Sequence, residues 1–139
     1  MGSFFLKASP MNRLLQGAVF LVVSGVAFAA QPQGEWKGPV QQANTDVASV
    51  FRFRPDAVEV HFGEPFACHV KADLLKEAGA ATIYRFGASK NGGGFCDGLL
   101  GRDLKVAPGA DGRLAIDFPS AKTAWHGDLR QAATASSQP

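Results

Sequence analysis

Cysteine and histidine are scarce in this chain, and their spacing excludes the common kinds of metal site. The 139 residues include two cysteines and three histidines, with no C-x-x-C pair and neither H-x-x-x-H nor H-E-x-x-H. Those spacings are typical of protein zinc sites. The G-x-S-x-G motif of serine hydrolases is also missing. We therefore expect no metal, no cofactor and no enzyme activity.

Neither sign of charge is in excess after the first 30 residues. Two of the 14 Lys and Arg residues lie in that first segment, so the remaining 12 balance the 12 Asp and Glu residues. The charges are scattered singly, which is typical of a solvated surface. A nucleic-acid binder needs a basic excess or a basic stripe, so nucleic acid is not an expected partner.

The first 30 residues have the composition of a secretory signal peptide. Lys7 and Arg13 form a positive region, and an apolar run with two polar interruptions extends from Leu14 to Ala30. Ala27-Phe28-Ala29 places small residues at the two positions that a signal peptidase reads. We therefore predict a signal peptide at 1–29.

Two alternatives concern this segment. Met11 is an equally good start, because the residues from there onward already form a complete signal. An uncleaved membrane anchor is the other alternative, but the apolar run of about 17 residues is at the lower edge for spanning a bilayer. We predict a cleaved chain that is periplasmic or secreted and makes no membrane contact after cleavage.

Export favours a bond between the two cysteines. Oxidising compartments form and preserve disulfides, so Cys68 and Cys96 are predicted to be joined. The bond would stabilise the small domain by about 3 kcal/mol, mainly by restricting the unfolded chain.

Alternation of apolar and polar residues predicts a mainly β fold. Seven or eight short segments alternate with period 2 at roughly 8–12-residue spacing, separated by turn residues. Pro39 weakens the first of them, because proline cannot donate to a strand ladder. The strands are predicted at 34–38, 50–54, 58–62, 66–70, 82–86, 104–106, 114–118 and 125–129.

This pattern indicates a small antiparallel β-barrel or sandwich. It would form a single β domain over 30–130, followed by a disordered tail at 131–139. Trp36-Lys37-Gly38 and Trp125-His126-Gly127 echo each other near the two ends of the domain. The hypothesis that follows is that these two strands are neighbours and close the sheet.

One segment has the composition of a helix. Ala72–Ala78 consists largely of good helix formers, and Gly79 follows at a natural C-terminal cap. With about two turns it would connect strands rather than form a layer. It is the one short helix that the sequence predicts.

The densest glycine run surrounds the second cysteine. It does not match G-x-x-x-x-G-K-[ST], so a phosphate-binding loop is not expected. A disulfide at Cys96 would pin this loop to the core, and loops on rigid scaffolds often carry binding. Phe95 would serve either as an apolar anchor for a partner or as a plug beneath the loop. The candidate partner-binding residues are Gly92, Gly93, Gly94, Phe95, Asp97 and Arg102.

A metal-handling protein is the first alternative function. His61 and His69 are predicted on the outer faces of adjacent strands, and either cysteine could join them. Cys68 and His69 are consecutive in a strand, however, so their side chains point to opposite faces. That geometry favours a disulfide and two surface histidines.

A small secreted hydrolase is the second alternative. Asp97 and Asp103 flank an apolar segment, and Glu59 and Asp117 lie on predicted strands. Folding would have to bring two such carboxylates within the few ångströms that glycosidase chemistry requires. The outward positions of the two strand residues favour solvation.

In size, export and strand pattern the chain resembles the small, exported, disulfide-pinned bacterial inhibitors of lysozyme. The resemblance implies a class of fold and carries no residue across. We predict an exported, non-enzymatic binding module, and an inhibitor or immunity-type role is the most concrete version of this prediction. Its partner would be a protein or a small ligand in the bacterial periplasm.

Overall fold

The strands dominate the computed structural model, which describes residues 31–90, 93–121 and 123–133. Within these ranges the chain forms eight strands, one short α-helix and one 3-10 turn at Ala110–Gly112. The helix, α1 (Gly94–Asp97), lies between β5 and β6. The strands are β1 (Gly34–Gln42), β2 (Thr45–Arg54), β3 (Ala57–Phe62), β4 (Cys68–Ala78), β5 (Ala81–Ser89), β6 (Asp103–Pro108), β7 (Leu114–Pro119) and β8 (Ala124–Gln131).

Three predicted features lie wholly or partly outside the described residues. The signal peptide at 1–29 and Gly92 lie entirely outside them. The predicted tail at 131–139 lies partly inside, because β8 continues through Gln131. Ala132 then donates its backbone N–H to the Glu35 carbonyl (2.8 Å), so the chain stays attached to β1 just beyond the strand.

The strands form a closed antiparallel barrel. Each strand pairs with the next in sequence, and β8 pairs back onto β1. The predicted mainly β, antiparallel fold is confirmed, and of the two architectures the barrel is the one that forms. Trp36 lies opposite Gln131 and Gln41 lies opposite His126, so the two tryptophan strands are neighbours, as the echo predicted. Closure leaves no exposed sheet edge.

The seam between β1 and β8 depends on two glycines. β1 runs through Pro39 instead of ending before it, and its pairing with β8 is interrupted at Gly38 and Pro39 before resuming at Val40. A Cβ at Gly38 would lie 2.3 Å from the Asp128 carbonyl oxygen, and one at Gly127 would lie 2.8 Å from the Pro39 carbonyl oxygen. The two strands approach too closely for any side chain at these positions.

The predicted helix at Ala72–Ala78 is wrong, because this segment belongs to β4. Ala72 pairs with Val58 on one side and Phe86 on the other, and Leu74 pairs with Tyr84. A strand flanked on both sides gains ladder hydrogen bonds and burial that outweigh a weak helix propensity. The short helix instead forms in the glycine-rich segment, where none was predicted.

The barrel interior is a packed core. Alternate residues point inward, and the predicted inward positions Tyr84, Phe86, Trp125 and Leu129 are all buried. Aromatic rings fill most of the space, with Phe51 stacked on Phe53 at a centroid distance of 6.1 Å. The largest fully buried side chains are Tyr84, Phe51, Phe62, Phe86 and Phe118, followed by Leu99, Leu104, Ile116 and Leu129.

A meander sends alternate connections to opposite ends of a barrel. We call the end with the connections β1–β2, β3–β4, β5–β6 and β7–β8 the upper end. The described residues of these connections are 43–44, 63–67, 90, 93–102, 120–121 and 123. The lower end carries the turns at 55–56, 79–80 and 109–113 and the two ends of the described chain.

Candidate functional site

The disulfide ties the longest upper-end connection to the barrel. Cys68 begins β4 and Cys96 lies in α1, and the two are bonded with their Cα atoms 6.3 Å apart. Both cysteines are buried. The predicted disulfide is therefore confirmed, and it holds the glycine-rich segment over the barrel.

Backbone hydrogen bonds complete the attachment of this connection. The Gly98 N–H donates to the Gly94 carbonyl at 3.0 Å, which closes the single turn of α1. Gly93 precedes it with φ of 94°, a conformation that glycine adopts without steric cost. After the fully buried Leu99, the Gly101 N–H donates to the Phe86 carbonyl at 2.8 Å. The connection is thus held by hydrogen bonds within α1 and, after Leu99, by a hydrogen bond to β5.

An aromatic cluster lies beneath this connection. We call Phe66, Phe95 and Trp125 the mouth cluster. The Phe66 and Phe95 rings are stacked at 3.9 Å with an angle of 1° between their planes, and Phe95 meets Trp125 edge-on at 5.3 Å. Phe66 and Phe95 are half-buried, whereas Trp125 is buried. The two parallel rings are therefore partly exposed at the upper end and pack against the core.

Backbone geometry positions Phe66. Its N–H and that of Ala67 both donate to the Gly63 carbonyl, at 3.0 and 2.9 Å. Ala67 has φ of 46°, a left-handed conformation that costs a non-glycine residue about 1 kcal/mol or more. This strained residue separates Phe66 from the disulfide and lets both side chains reach the upper end of the core. Sequence analysis did not single out Phe66, because its alternation looked like that of an ordinary strand residue.

A shallow cleft opens beside the mouth cluster. It has a volume of about 240 Å³. Leu100, in the turn that follows α1, is 62% exposed and adds an apolar side chain to the same connection. The indole N–H of Trp125 is buried and has no hydrogen-bond partner among the described residues. The cleft is lined by the three mouth-cluster residues together with Gln42, Ser120 and Ala121.

The polar residues predicted for partner binding are engaged within the chain. Asp97 accepts a hydrogen bond from the Ser89 hydroxyl at 2.6 Å. Arg102 is half-buried and donates its Nε–H to the Gly98 carbonyl at 2.7 Å. Both side chains therefore shape the connection, although Asp97 remains exposed. The other exposed residues between 93 and 102 are Gly93, Gly94, Leu100 and Gly101.

The two histidines of the metal-handling alternative do meet. His61 on β3 and His69 on β4 are cross-strand partners, exposed on the outer wall, with ring centroids 4.0 Å apart. Cys68 points inward and both cysteines are in the disulfide, so neither is available to join them. No group of three or more His, Cys, Asp or Glu side chains in the part of the chain that the structure describes could hold a metal ion.

The carboxylates of the hydrolase alternative each have a different partner. Glu59 pairs with Arg54 at 3.4 Å, and Asp103 pairs with Arg85 at 3.1 Å. Asp117 on β7 contacts Nδ1 of His126 on β8, an exposed pair that sequence analysis missed. The signal for it was the hairpin register, which sets residues 117 and 126 opposite each other.

Comparisons with protein-family models, with curated proteins and with solved structures return no match for this chain. Over the described ranges, no helix has the length and apolar character needed to cross a membrane.

Proposed function

We propose that this chain is an exported, non-enzymatic binding module of the bacterial periplasm or cell exterior. It recognises a protein partner through the upper end of its barrel, as an inhibitor or immunity-type protein would. The expected signal peptide and the disulfide support the location. The protein partner is favoured over a small ligand because the apolar surface is open and shallow.

The observation that carries the proposal is the stacked, half-buried pair of Phe66 and Phe95. The connection that contains Phe95 also carries the exposed Leu100. Aromatic anchors dominate the energetics of protein interfaces when a rigid scaffold holds them. The disulfide and the backbone bonds of α1 supply that rigidity. Binding to a surface already in place avoids much of the entropy cost of ordering a loop.

The packed core also limits where binding can occur. Small barrels whose interior is filled with side chains have no room for an internal ligand. Phe62 and Phe118 lie directly beneath Phe95, at centroid distances of 5.0 and 6.4 Å, and Leu99 is fully buried. A partner therefore contacts the surface of the barrel. At the upper end, an apolar side chain of the partner would fit the cleft.

Leu100 offers the sharpest test, because it is exposed and can be changed without opening the core. We expect Leu100→Ser to weaken capture of the partner from a periplasmic extract by about tenfold, a typical loss for an apolar contact residue. Capture is quantified by mass spectrometry of proteins retained on the immobilised chain. The matched control is Leu75→Ser, since Leu75 is also exposed (42%) but lies on β4 towards the lower end.

Two outcomes would contradict the proposal. One is a set of captured proteins that is unchanged by Leu100→Ser. The other is an equal loss with Leu75→Ser, which would show that any exposed leucine contributes. Thermal unfolding of both variants serves as the check on folding, and each is expected to match the unchanged chain within about 0.5 kcal/mol.

A further inference from the structure

The antiparallel pairing of β3 with β4 brings two imidazoles together on the outer wall of the barrel. His61 and His69 are directly opposite each other on antiparallel strands, in register with the buried pairs on either side. Their rings meet edge to face, with 79° between the ring planes. Directly opposed residues on one sheet face have Cβ atoms about 4.5–5.5 Å apart, so this spacing is built into the fold.

That spacing suits a shared metal ion. Imidazole nitrogens bind transition metals at about 2.0–2.1 Å, so two rings that reach one ion must bring their nitrogens to about 3 Å. The ring centroids are already 4.0 Å apart, and both side chains are exposed. Rotation about the side-chain torsions can therefore aim one nitrogen of each ring at a common point without disturbing the core.

The charges around the pair act on the ligands themselves. The pKa of His69 is lowered, chiefly by burial and then by the neighbouring His61, Lys90 and Arg52. The positive charges of Lys90 and Arg52 repel a bound cation, and the affinity is therefore moderate. The charged side chains that face the pair are Glu35 and Lys37 from β1, Arg52 from β2, Glu59 from β3, Lys71 from β4, and Lys90 after β5.

We propose that His61 and His69 form a two-imidazole site for Cu²⁺ on the outer wall, with water completing the coordination. No third protein ligand group is assembled there among the described residues, so the ligand set is two nitrogens and water oxygens. Nitrogen and oxygen ligands in a tetragonal arrangement suit Cu²⁺, which also binds such sites more tightly than Ni²⁺ or Zn²⁺. The site lies on the outer face of the sheet, opposite the inward-pointing Cys68 that precedes His69 in β4.

The chain carries its own matched control. His126 is the third histidine, exposed on β8, and its Nδ1 contacts Asp117 instead of another imidazole. The experiment titrates the untagged mature chain with Cu²⁺ by calorimetry near pH 7 in a non-chelating buffer. The variants are His61→Ala, His69→Ala, the double replacement and His126→Ala.

We expect one Cu²⁺ per chain and a loss of affinity of about tenfold or more in either single variant, because each removes one of two protein ligands. Electron paramagnetic resonance should show coupling to two imidazole nitrogens, one of which disappears in each single variant. His126→Ala should bind like the unchanged chain.

Two results would overturn the site. They are unchanged affinity in the double variant and an equal loss in His126→Ala. Preferential binding of Zn²⁺ over Cu²⁺ would overturn the assigned metal. Because both side chains lie on the exposed wall, none of the variants removes a core residue.

Discussion

The two ends of the barrel close in different ways. The upper end has the longest connection, between β5 and β6, together with a disulfide and the mouth cluster, which remains partly open to solvent. The lower end has only short connections, at 55–56, 79–80 and 109–113, and the buried Phe53 and Tyr84 pack together nearby at 5.9 Å. Strand connections need few residues when they only reverse the chain. The additional length and apolar surface at the upper end therefore point to a role beyond closure.

Each end also buries one polar atom without a partner among the described residues. These atoms are the indole nitrogen of Trp125 at the upper end and the hydroxyl oxygen of Tyr84 towards the lower end. An unpaired buried polar group costs about 1–3 kcal/mol. Neither end is optimised for stability alone.

Of the changes considered, loss of the disulfide should have the largest effect, and it should affect the upper end more than the lower end. We expect the Cys68→Ala, Cys96→Ala double variant to lose about 3 kcal/mol of unfolding free energy in urea, because the bond restricts the unfolded chain. Amide exchange should increase most in α1 and least in the lower-end turns. Reduction of the unchanged chain serves as the control and should produce the same pattern. A loss below about 1 kcal/mol, or a uniform increase in exchange, would show that the disulfide does not distinguish the ends.

The next largest difference in unfolding free energy should be between glycine replacements at the β1–β8 seam and at the upper end. Gly38→Ala places a Cβ 2.3 Å from the backbone oxygen of Asp128, so we expect it to lower the unfolding free energy by about 1–3 kcal/mol. A Cβ at Gly94 has nothing within 4 Å, and Gly94→Ala should change stability by less than about 0.5 kcal/mol. Urea unfolding of both variants makes the comparison. Equal losses of unfolding free energy in the two variants would mean that the β1–β8 seam accommodates a Cβ as easily as the exposed connection does.

The smallest effect at neutral pH should come from Tyr84. Tyr84→Phe removes an unpartnered buried hydroxyl, so we expect stability to change by less than about 1 kcal/mol or to rise slightly. Burial and, to a lesser extent, Glu77 raise the pKa of Tyr84 to about 12.

The same residue gives a pH dependence with a defined sign. An unfolded tyrosine has a pKa near 10, so between about pH 10 and 12 the unfolded chain releases this proton before the folded chain does. Stability should therefore be unaffected by Tyr84 below about pH 10 and should fall as the pH rises through the window. Urea unfolding at about pH 8 and about pH 11 should show a steeper loss for the unchanged chain than for Tyr84→Phe. Parallel losses would mean that Tyr84 does not titrate in this way.

Most strands of the barrel could be predicted from local sequence patterns, and the exceptions have physical reasons. Val58, Val60 and Phe62 alternate with exposed residues along β3, and the structure buries all three. The helix prediction at Ala72–Ala78 is wrong because these residues favour a helix when considered alone. Only pairing with β3 and β5 makes this segment a strand, and no local pattern contains that information.

The candidate site was predictable in part. Phe95 and the two cysteines stood out because rare residues in a glycine-rich segment are conspicuous. Phe66 did not stand out, since its importance comes from stacking on a residue far away in the sequence. The contacts that engage Asp97 and Arg102 likewise depend on the fold of the connection.

The sequence by itself determined the β class of this protein, its antiparallel order, its pair of bonded cysteines and the outward positions of His61 and His69. These follow from period-2 alternation, turn residues and the scarcity of cysteine, all of which are local or compositional. Only the tertiary structure decided that the sheet closes through Gly38 and Gly127, that β4 extends to Ala78, and that Phe66 stacks on Phe95. Each of these depends on distances between segments that are far apart in the chain, and they are set when the whole barrel packs around one core.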